Sequence, residues 1–370
     1  DGTMWLAGDG DLLLVGSQAS LEPRLDGIST AWQRPGVADD LRAVGMHEPF
    51  ALLSLFVGGP REMARYGAGA IIQTDDRTAL EFSGPFAIFG RDRANHAGVL
   101  RALLNDGQRP AAVTRALMDA NASQWRNRAG MMMEVEAFDS AYRNYSTALE
   151  LDPTDGPALD GFVRAATAAH REDDAERRLR AIIQSRDAET GARVALAELL
   201  GIRGRFDEAV AVATEATRIA PGDPAAWEQL ASLYTDRGDV VRLAPAVKVL
   251  RGDYPSRAAS WYFAASESFL RGDAAGALPL VRRAIQLDAN YADAYNLLGA
   301  IHGTAGDTNT SREAFRTSLR LDPRDAITYV NLAQLEMAAG QRDAAAGLFA
   351  EALSLDPNSA AAREGLALTK

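Results

Sequence analysis

The residues that could perform chemistry are few and far apart in this 370-residue chain. The chain has four histidines, His47, His96, His170 and His302. No two of them have the spacing of a metal-ligand pair on one helix. The absence of cysteine excludes disulfides, thiolate nucleophiles and cysteine metal sites. Adjacent carboxylates could serve general acid–base catalysis, but solvated turns and helix ends explain them more simply; they are Asp39-Asp40, Asp75-Asp76 and Asp173-Asp174. We predict no catalytic residue, no metal and no cofactor.

Two further motifs have simpler structural interpretations. Gly67-Ala68-Gly69 lacks the third glycine of a dinucleotide-binding loop, and no long helix clearly follows it. Met131-Met132-Met133 would suit a soft metal or an adaptable surface, but Met132 falls at a position where helix packing is expected. Neither motif predicts a small-molecule site.

The elements that would position any functional side chain are indicated by a 34-residue period. Five glycines follow one another at intervals of 34 residues, at Gly204, Gly238, Gly272, Gly306 and Gly340. Prolines fall on the same period, at Pro153, Pro221, Pro255, Pro323 and Pro357. A fixed period of this length is typical of stacked helical hairpins. The glycine can end the first helix in a left-handed conformation, and the proline cannot continue the second.

Seven units of 34 residues follow one another without insertion, starting at Ala122, Gly156, Thr190, Pro224, Ala258, Ala292 and Ala326. Position 4 of a unit carries a bulky side chain in most units, and we predict that Trp125, Trp227 and Trp261 are buried between paired helices. Two units depart from the pattern. One has His170 in place of the glycine and Asp187 in place of the proline, and the next has Arg193 at position 4.

These residues resemble tetratricopeptide repeats (TPR). The resemblance covers residues 122–357 and implies a mostly α, right-handed solenoid of seven hairpins, with a capping helix in residues 358–370. It also implies a protein or peptide partner, bound by the first helices along the hollow of the solenoid. In the family that the chain resembles, positions 2, 5, 9 and 12 of each first helix face this hollow. The residues expected to form the groove are Arg126, Arg164, Glu228, Tyr262, Phe269, Asn296, Val330, Gln334 and Met337.

The repeat pattern fails in the first ninety residues, where a different fold is expected. Apolar runs at residues 4–7 and 11–15 predict a strand hairpin, and a further strand is expected at 67–73. Helices are expected at residues 21–33, 37–44, 49–57 and 61–66, and connecting helices at 94–105 and 110–120, within residues 91–121.

Trp5, the strand at 11–16 and the segment 74–85 are similar to the carboxyl end of spermidine-synthase-like proteins, in particular bacterial ones fused to a membrane region. The resemblance covers residues 1–90 and implies the remnant of a Rossmann-like, methyltransferase-type α/β domain. The glycine-rich nucleoside loop and the catalytic acidic motif of that family are absent from this chain, so no catalytic residue is carried over. We expect residues 1–90 to be the end of a domain within a larger bacterial protein.

Charge and hydropathy limit the function classes. A net charge of −11 argues against a nucleic-acid surface. No apolar run reaches membrane-spanning length and no signal peptide opens the chain, so we expect a soluble region without membrane insertion of its own. The sequence does not specify a compartment, although the second resemblance suggests a parent anchored at a bacterial membrane.

The sequence therefore predicts a non-catalytic scaffold for protein–protein interaction or assembly. One alternative is the regulatory carboxyl-terminal part of a spermidine-synthase-like aminopropyltransferase. A second is a structural subunit of a membrane-associated complex.

Overall fold

The computed structural model describes residues 2–7, 11–43, 45–66 and 109–369. These residues form three strands and twenty-one helices. The chain divides into two compact units, Asp1–Ala195 and Leu196–Lys370. The first unit holds both the predicted α/β segment and the first two predicted hairpins. The domain limits expected from the sequence stay a prediction.

The strands form one small antiparallel sheet. Strands β1 (Gly2–Ala7), β2 (Asp11–Gly16) and β3 (Phe56–Gly58) have the order β2-β1-β3. Pairing of β1 with β2, with Met4 opposite Leu14, confirms the predicted strand hairpin. Trp5 of β1 meets Phe56 of β3 edge to face, with ring centroids 5.5 Å apart.

Five short helices accompany the sheet: α1 (Glu22–Asp26), α2 (Ile28–Trp32), α3 (Val37–Arg42), α4 (Pro49–Leu53) and α5 (Pro60–Tyr66). The helix predicted at 21–33 is two helices joined at Gly27. The helix predicted at 49–57 is wrong in its last residues, which form β3. An apolar run is compatible with either a helix or a buried strand. Here the run forms a strand because it pairs with the edge of β1. The expectations for residues 67–105 lie outside the described residues.

The remaining helices form the hairpin array. Helix α6 (Ala111–Met118) precedes it. The first helices of the units are α7 (Ala122–Glu134), α9 (Gly156–Ala168), α11 (Gly191–Ile202), α13 (Pro224–Asp236), α15 (Ala258–Leu270), α17 (Ala292–Thr304) and α19 (Ala326–Ala338). The second helices are α8 (Phe138–Leu151), α10 (Glu172–Ser185), α12 (Phe206–Ile219), α14 (Val240–Asp253), α16 (Ala274–Leu287), α18 (Thr308–Leu321) and α20 (Arg342–Leu355), and α21 (Ala360–Leu368) follows them.

The turn between the two helices of each 34-residue repeat is the same in all seven hairpins. Position 15 has a positive φ not only at the five glycines but also at Glu136 (φ 57°) and His170 (φ 54°). In the hairpin of α15 and α16, the N–H of Gly272 donates to the carbonyl oxygen of Phe269 (2.8 Å). The N–H of Asp273 donates to the carbonyl oxygen of Ser268 (3.0 Å). These bonds use carbonyls that the helix end leaves free, so the turn keeps its geometry without glycine.

The tryptophans at position 4 are partly buried, whereas the sequence predicted burial. The indole N–H of Trp227 donates to the carbonyl of Pro221 (2.9 Å), and that of Trp261 to the carbonyl of Pro255 (2.7 Å). These bonds hold the ring edge at the surface, where Arg251 stacks over Trp261 at 3.9 Å. Trp125 meets Phe50 of α4 at 5.2 Å. The ring at position 4 therefore joins its hairpin to the preceding segment.

Candidate partner-binding surfaces

In the first unit, α7, α8 and α9, together with Gly45 and His47 from the segment before α4, line a recess of about 520 Å³. It contains two of the predicted groove residues, Arg126 and Arg164. Arg126 binds both carboxylate oxygens of Asp155, at 2.8 and 2.6 Å, and Asp155 also caps α9 by accepting from the N–H of Ala158. Arg164 pairs with Asp160 at 2.7 Å. Both guanidinium groups are thus held in place by carboxylates of α9 and its cap.

Tyr145 of α8 lines the same recess although its side chain is only 6% exposed. Its ring lies against Gly161, where a Cβ atom would come within 2.2 Å of Cζ. Burial raises the pKa of Tyr145 above the usual range of a phenol. Its hydroxyl makes no hydrogen bond within the described part of the chain, so a neutral donor remains available at the recess.

In the second unit, the predicted residues Glu228 and Tyr262 lie on successive first helices. Glu228 of α13 binds Arg257 through both carboxylate oxygens, at 2.5 and 3.0 Å. Tyr262 of α15 packs against Tyr291 (ring centroids 5.1 Å apart) and against the cores of two hairpins. Burial raises the pKa of Tyr262. Tyr262 is therefore a packing residue as well as a candidate contact.

The other predicted groove residues of this unit differ in exposure. Asn296 of α17 accepts a hydrogen bond from the side-chain amide of Asn331 in α19 (2.9 Å), so the amides of two first helices are linked. Gln334 is exposed. Phe269 and Met337 are partly buried against the hairpin cores, and Val330 is buried, with 7% of its surface exposed.

The second unit also contains a recess of about 700 Å³ that we call the inner recess. Its lining is Glu198, Gly201, Ile202, Phe206, Gln229, Ser232, Leu233, Asp236 and Ile327. Ile202 and Ile327 expose 52% and 65% of their surface. The lining therefore combines apolar and acidic side chains, and it includes no lysine or arginine among the residues that the structure describes.

Two carboxylates of the second unit carry raised pKa values. The pKa of Asp236 is raised to about 6 by burial, and that of Asp293 to about 6 by burial and by the negative charges of Asp325, Asp322 and Asp236. Solvent still reaches both side chains. A group in a concave surface can be surrounded by protein on several sides and still be reached by solvent. Both carboxylates are therefore available to a ligand.

Sequence reasoning missed several of these residues. Gln229 and Asn331 occupy position 6, and Asp236 occupies position 13, whereas only positions 2, 5, 9 and 12 were expected to face the hollow. Positions 6 and 13 are each one helical turn after positions 2 and 9. The i, i+4 spacing would have identified them.

Three of the residues considered for catalysis that the structure describes, Asp39, Asp174 and His302, are engaged in structural contacts. Asp39 pairs with Arg42 (3.0 Å), and Asp174 accepts from Tyr142 (2.5 Å) and pairs with Arg178 (3.1 Å). His302 lies 3.3 Å from Asp307 in its own hairpin turn. Within the described ranges, no three residues of the metal-ligating types come together, and no helix is both long and apolar enough to cross a membrane.

Comparisons with known proteins agree with the helical architecture. Tetratricopeptide-repeat family models match residues 190–233, 296–360 and 330–369. No curated protein sequence matches the chain. Among solved structures, it is similar to a tetratricopeptide repeat protein from Parabacteroides merdae, with 14% identity, 67% of this chain and 98% of that chain covered, and a TM-score of 0.50.

Two more solved structures resemble the chain. The Cut9-Hcn1 hetero-tetramer of APC/C shares 13% identity over 93% of this chain and 66% of that chain, with a TM-score of 0.51. The TPR protein TTC0263 from Thermus thermophilus shares 21% identity over 49% of this chain and 98% of that chain, with a TM-score of 0.44. The chain contains tetratricopeptide repeats at residues 190–233 and 296–369, a kind of repeat that forms scaffolds for protein–protein interaction, and the hairpins that the structure describes have a mostly helical, tetratricopeptide-like fold.

Proposed function

We propose that the chain is a non-catalytic scaffold that binds an extended peptide or a partner helix on the inner face of the second unit. By inner face we mean the side chains at positions 2, 5, 6, 9, 12 and 13 of the first helices. One observation carries this proposal. The recesses of both units, each taken by itself, are lined mainly by these repeat-equivalent positions.

The linked amides of Asn296 and Asn331 support binding of a peptide backbone. Their mutual bond uses the oxygen of Asn296 and one N–H of Asn331. It leaves the side-chain amide N–H groups of Asn296 and the oxygen of Asn331 without a hydrogen-bond partner among the described residues. An extended segment presents both donors and acceptors, so this pair suits it. Exposed Gln334, also on α19, adds a third amide.

The first-unit recess extends the proposal to a second contact region. Arg126 and Arg164 present guanidinium groups beside the unbonded hydroxyl of Tyr145. Such groups suit polar side chains of a partner. One ligand need not occupy both regions.

The test measures capture of partners by the full chain and by two matched double variants. Asn296→Ala with Gln334→Ala removes two partly or fully exposed amides from the inner face and leaves the buried packing unchanged. We expect it to weaken partner binding at least tenfold, about 1.4 kcal/mol. Tyr262 is left intact because it packs against two hairpin cores.

The control is Arg282→Ala with Arg316→Ala, two exposed residues on the second helices α16 and α18. It should change binding less than twofold, and both variants should keep the wild-type circular dichroism spectrum. Loss of capture in the control pair but not in the amide pair would place the binding surface on the second helices and contradict the proposal.

The alternative of a regulatory carboxyl-terminal half of a spermidine-synthase-like enzyme rests on residues 1–90, and part of that segment lies outside the described residues. Its fitting feature is the β1–β2 hairpin, which contains Trp5 and the strand at 11–16 that carry the resemblance. Turnover of decarboxylated S-adenosylmethionine and putrescine by this chain would favour the alternative, whereas we expect none above a heat-inactivated control.

A further inference from the structure

The inner recess of the second unit exposes large apolar side chains to solvent. Ile202 ends α11, and Ile327 lies in the first turn of α19, and both are more than half exposed. Leu233 and Phe206 lie more deeply in the same lining. Exposed apolar groups that share one recess are a typical feature of interaction sites. The recess therefore offers apolar contacts to a partner.

Carboxylates without a cation lie in and beside this recess. In the described part of the chain, neither Asp236 nor Asp293 forms an ion pair, in contrast to Glu228 with Arg257 and Glu336 with Arg312. Asp236 lines the recess, and its charge acts on both Tyr262 and Asp293. Asp325 acts on the same two groups, and it also caps α19 by accepting from the N–H of Ile327.

This arrangement is electrostatically unfavourable in the free protein. Like charges close together repel, and a carboxylate surrounded by protein is less well hydrated than in water. The neighbouring hairpin surfaces avoid this cost by pairing carboxylates with arginine, as in Asp207 with Arg237 at 2.6 Å. A cation from a partner would remove the repulsion at Asp236 and Asp293.

We propose that the inner recess, together with Asp236 and Asp293, binds a basic and apolar peptide segment, with lysine or arginine at the carboxylates and apolar side chains against Ile202 and Ile327. The inference rests on the proposed function and specifies the chemistry of the partner. Charge complementarity selects this occupant, since an acidic segment would add to the repulsion.

The experiment uses the full chain and two labelled synthetic peptides, one alternating lysine with leucine and one alternating glutamate with leucine. Binding is measured by fluorescence anisotropy at about 0.15 M salt, where long-range attraction is screened. We expect the lysine peptide to bind at least tenfold more tightly than the glutamate peptide. Asp236→Asn with Asp293→Asn should weaken binding of the lysine peptide at least tenfold.

The control must change the net charge equally. Asp253→Asn with Asp343→Asn neutralises two exposed carboxylates on the second helices α14 and α20 and should change the affinity less than twofold. Equal losses in both pairs would show that the peptide adsorbs to the net charge of the protein and would overturn the proposal. So would equal affinities for the two peptides.

The outcome separates this inference from the proposed function. If Asn296→Ala with Gln334→Ala abolishes capture of a natural partner while the Asp236 and Asp293 variant binds it normally, the inner face is the binding surface and the basic partner is wrong. If the Asp236 and Asp293 variant loses binding of both the lysine peptide and the natural partner, and the Asp253 and Asp343 control does not, the recess binds a basic partner as proposed.

Discussion

At the residue scale, the left-handed residues at the hairpin turns show how strongly the repeat controls the backbone. Glu136 and His170 occupy position 15 with φ values of 57° and 54°, although both carry a Cβ atom. The left-handed conformation costs a residue other than glycine about 1–2 kcal/mol, because its Cβ atom crowds the following carbonyl oxygen. The cost is borne because the two turn hydrogen bonds and the packed helices on either side determine the conformation.

We expect His170→Gly to stabilise the protein by about 0.5–1 kcal/mol, since the relief of strain exceeds the extra chain entropy of glycine in the unfolded state. The measurement is the midpoint of urea denaturation. The control is His170→Ala, which keeps Cβ and should bring no gain. A destabilised glycine variant would show that the side chain of His170 makes a contact worth more than the strain.

At the element scale, two second helices contain an internal proline. Pro245 in α14 and Pro279 in α16 both occupy position 22 of their 34-residue repeats and are exposed. A proline inside a helix lacks the N–H that would bond the carbonyl four residues earlier, here that of Ala275 for Pro279. Both helices nevertheless continue for eight residues beyond the proline, to Asp253 and Leu287. Packing of the hairpin core, with Val281 and Ala284 buried in α16, maintains them.

Pro279→Ala should therefore raise the free energy of unfolding by about 1–3 kcal/mol, because it restores one helical hydrogen bond and a better helix former. Thermal denaturation followed by circular dichroism measures the change. Pro357→Ala, which alters a proline beyond the end of α20, is the matched control and should shift the midpoint much less. An unchanged or lowered midpoint for Pro279→Ala would mean that the helix is already relaxed around the proline.

At the scale of the whole molecule, the net charge of −11 is unevenly balanced by arginine. Surface pairs neutralise many carboxylates, but Asp236 and Asp293 in the second unit form no ion pair with any residue that the structure describes. Their pKa values of about 6 lie above the value of about 3.9 for an unfolded aspartate. The folded state then binds more protons than the unfolded state between pH 4 and 6, so these groups make stability fall as pH rises through that window.

Replacement of both residues by asparagine should stabilise the protein at pH 7.5 and have little effect near pH 4, where the native carboxyls are already protonated. Because solvent reaches both side chains, we expect a gain of no more than about 1 kcal/mol. Urea denaturation at the two pH values gives the comparison, with Asp253→Asn and Asp343→Asn as the charge-matched control. A gain of equal size at both pH values would contradict the electrostatic explanation. A variant that is more stable but binds the lysine peptide less would show that the carboxylates serve binding at the expense of stability.

The repeat register was predictable from the sequence because its signals are local. A glycine at position 15 and a proline at position 32 act through the backbone of their own residues, so Gly204 to Gly340 and Pro221 to Pro357 predict the helix ends without knowledge of the packing. No such local signal predicted the left-handed conformation of Glu136 and His170, because only comparison with the equivalent turns of neighbouring repeats indicates it. The β1–β2 hairpin was likewise visible as two apolar runs around glycines.

What the tertiary structure decided depends on groups that are distant in sequence. The run at Phe56–Gly58 is a strand because the edge of β1 accepts it, and Trp227 stays partly exposed because the carbonyl of Pro221 holds its indole. The inner recess brings Ile327 of α19 to residues of α11 and α13, more than ninety positions earlier. Periodicity specifies which face of a helix is turned inward, but the curvature of the stacked hairpins determines which faces meet, and that curvature is the sum of many packing contacts.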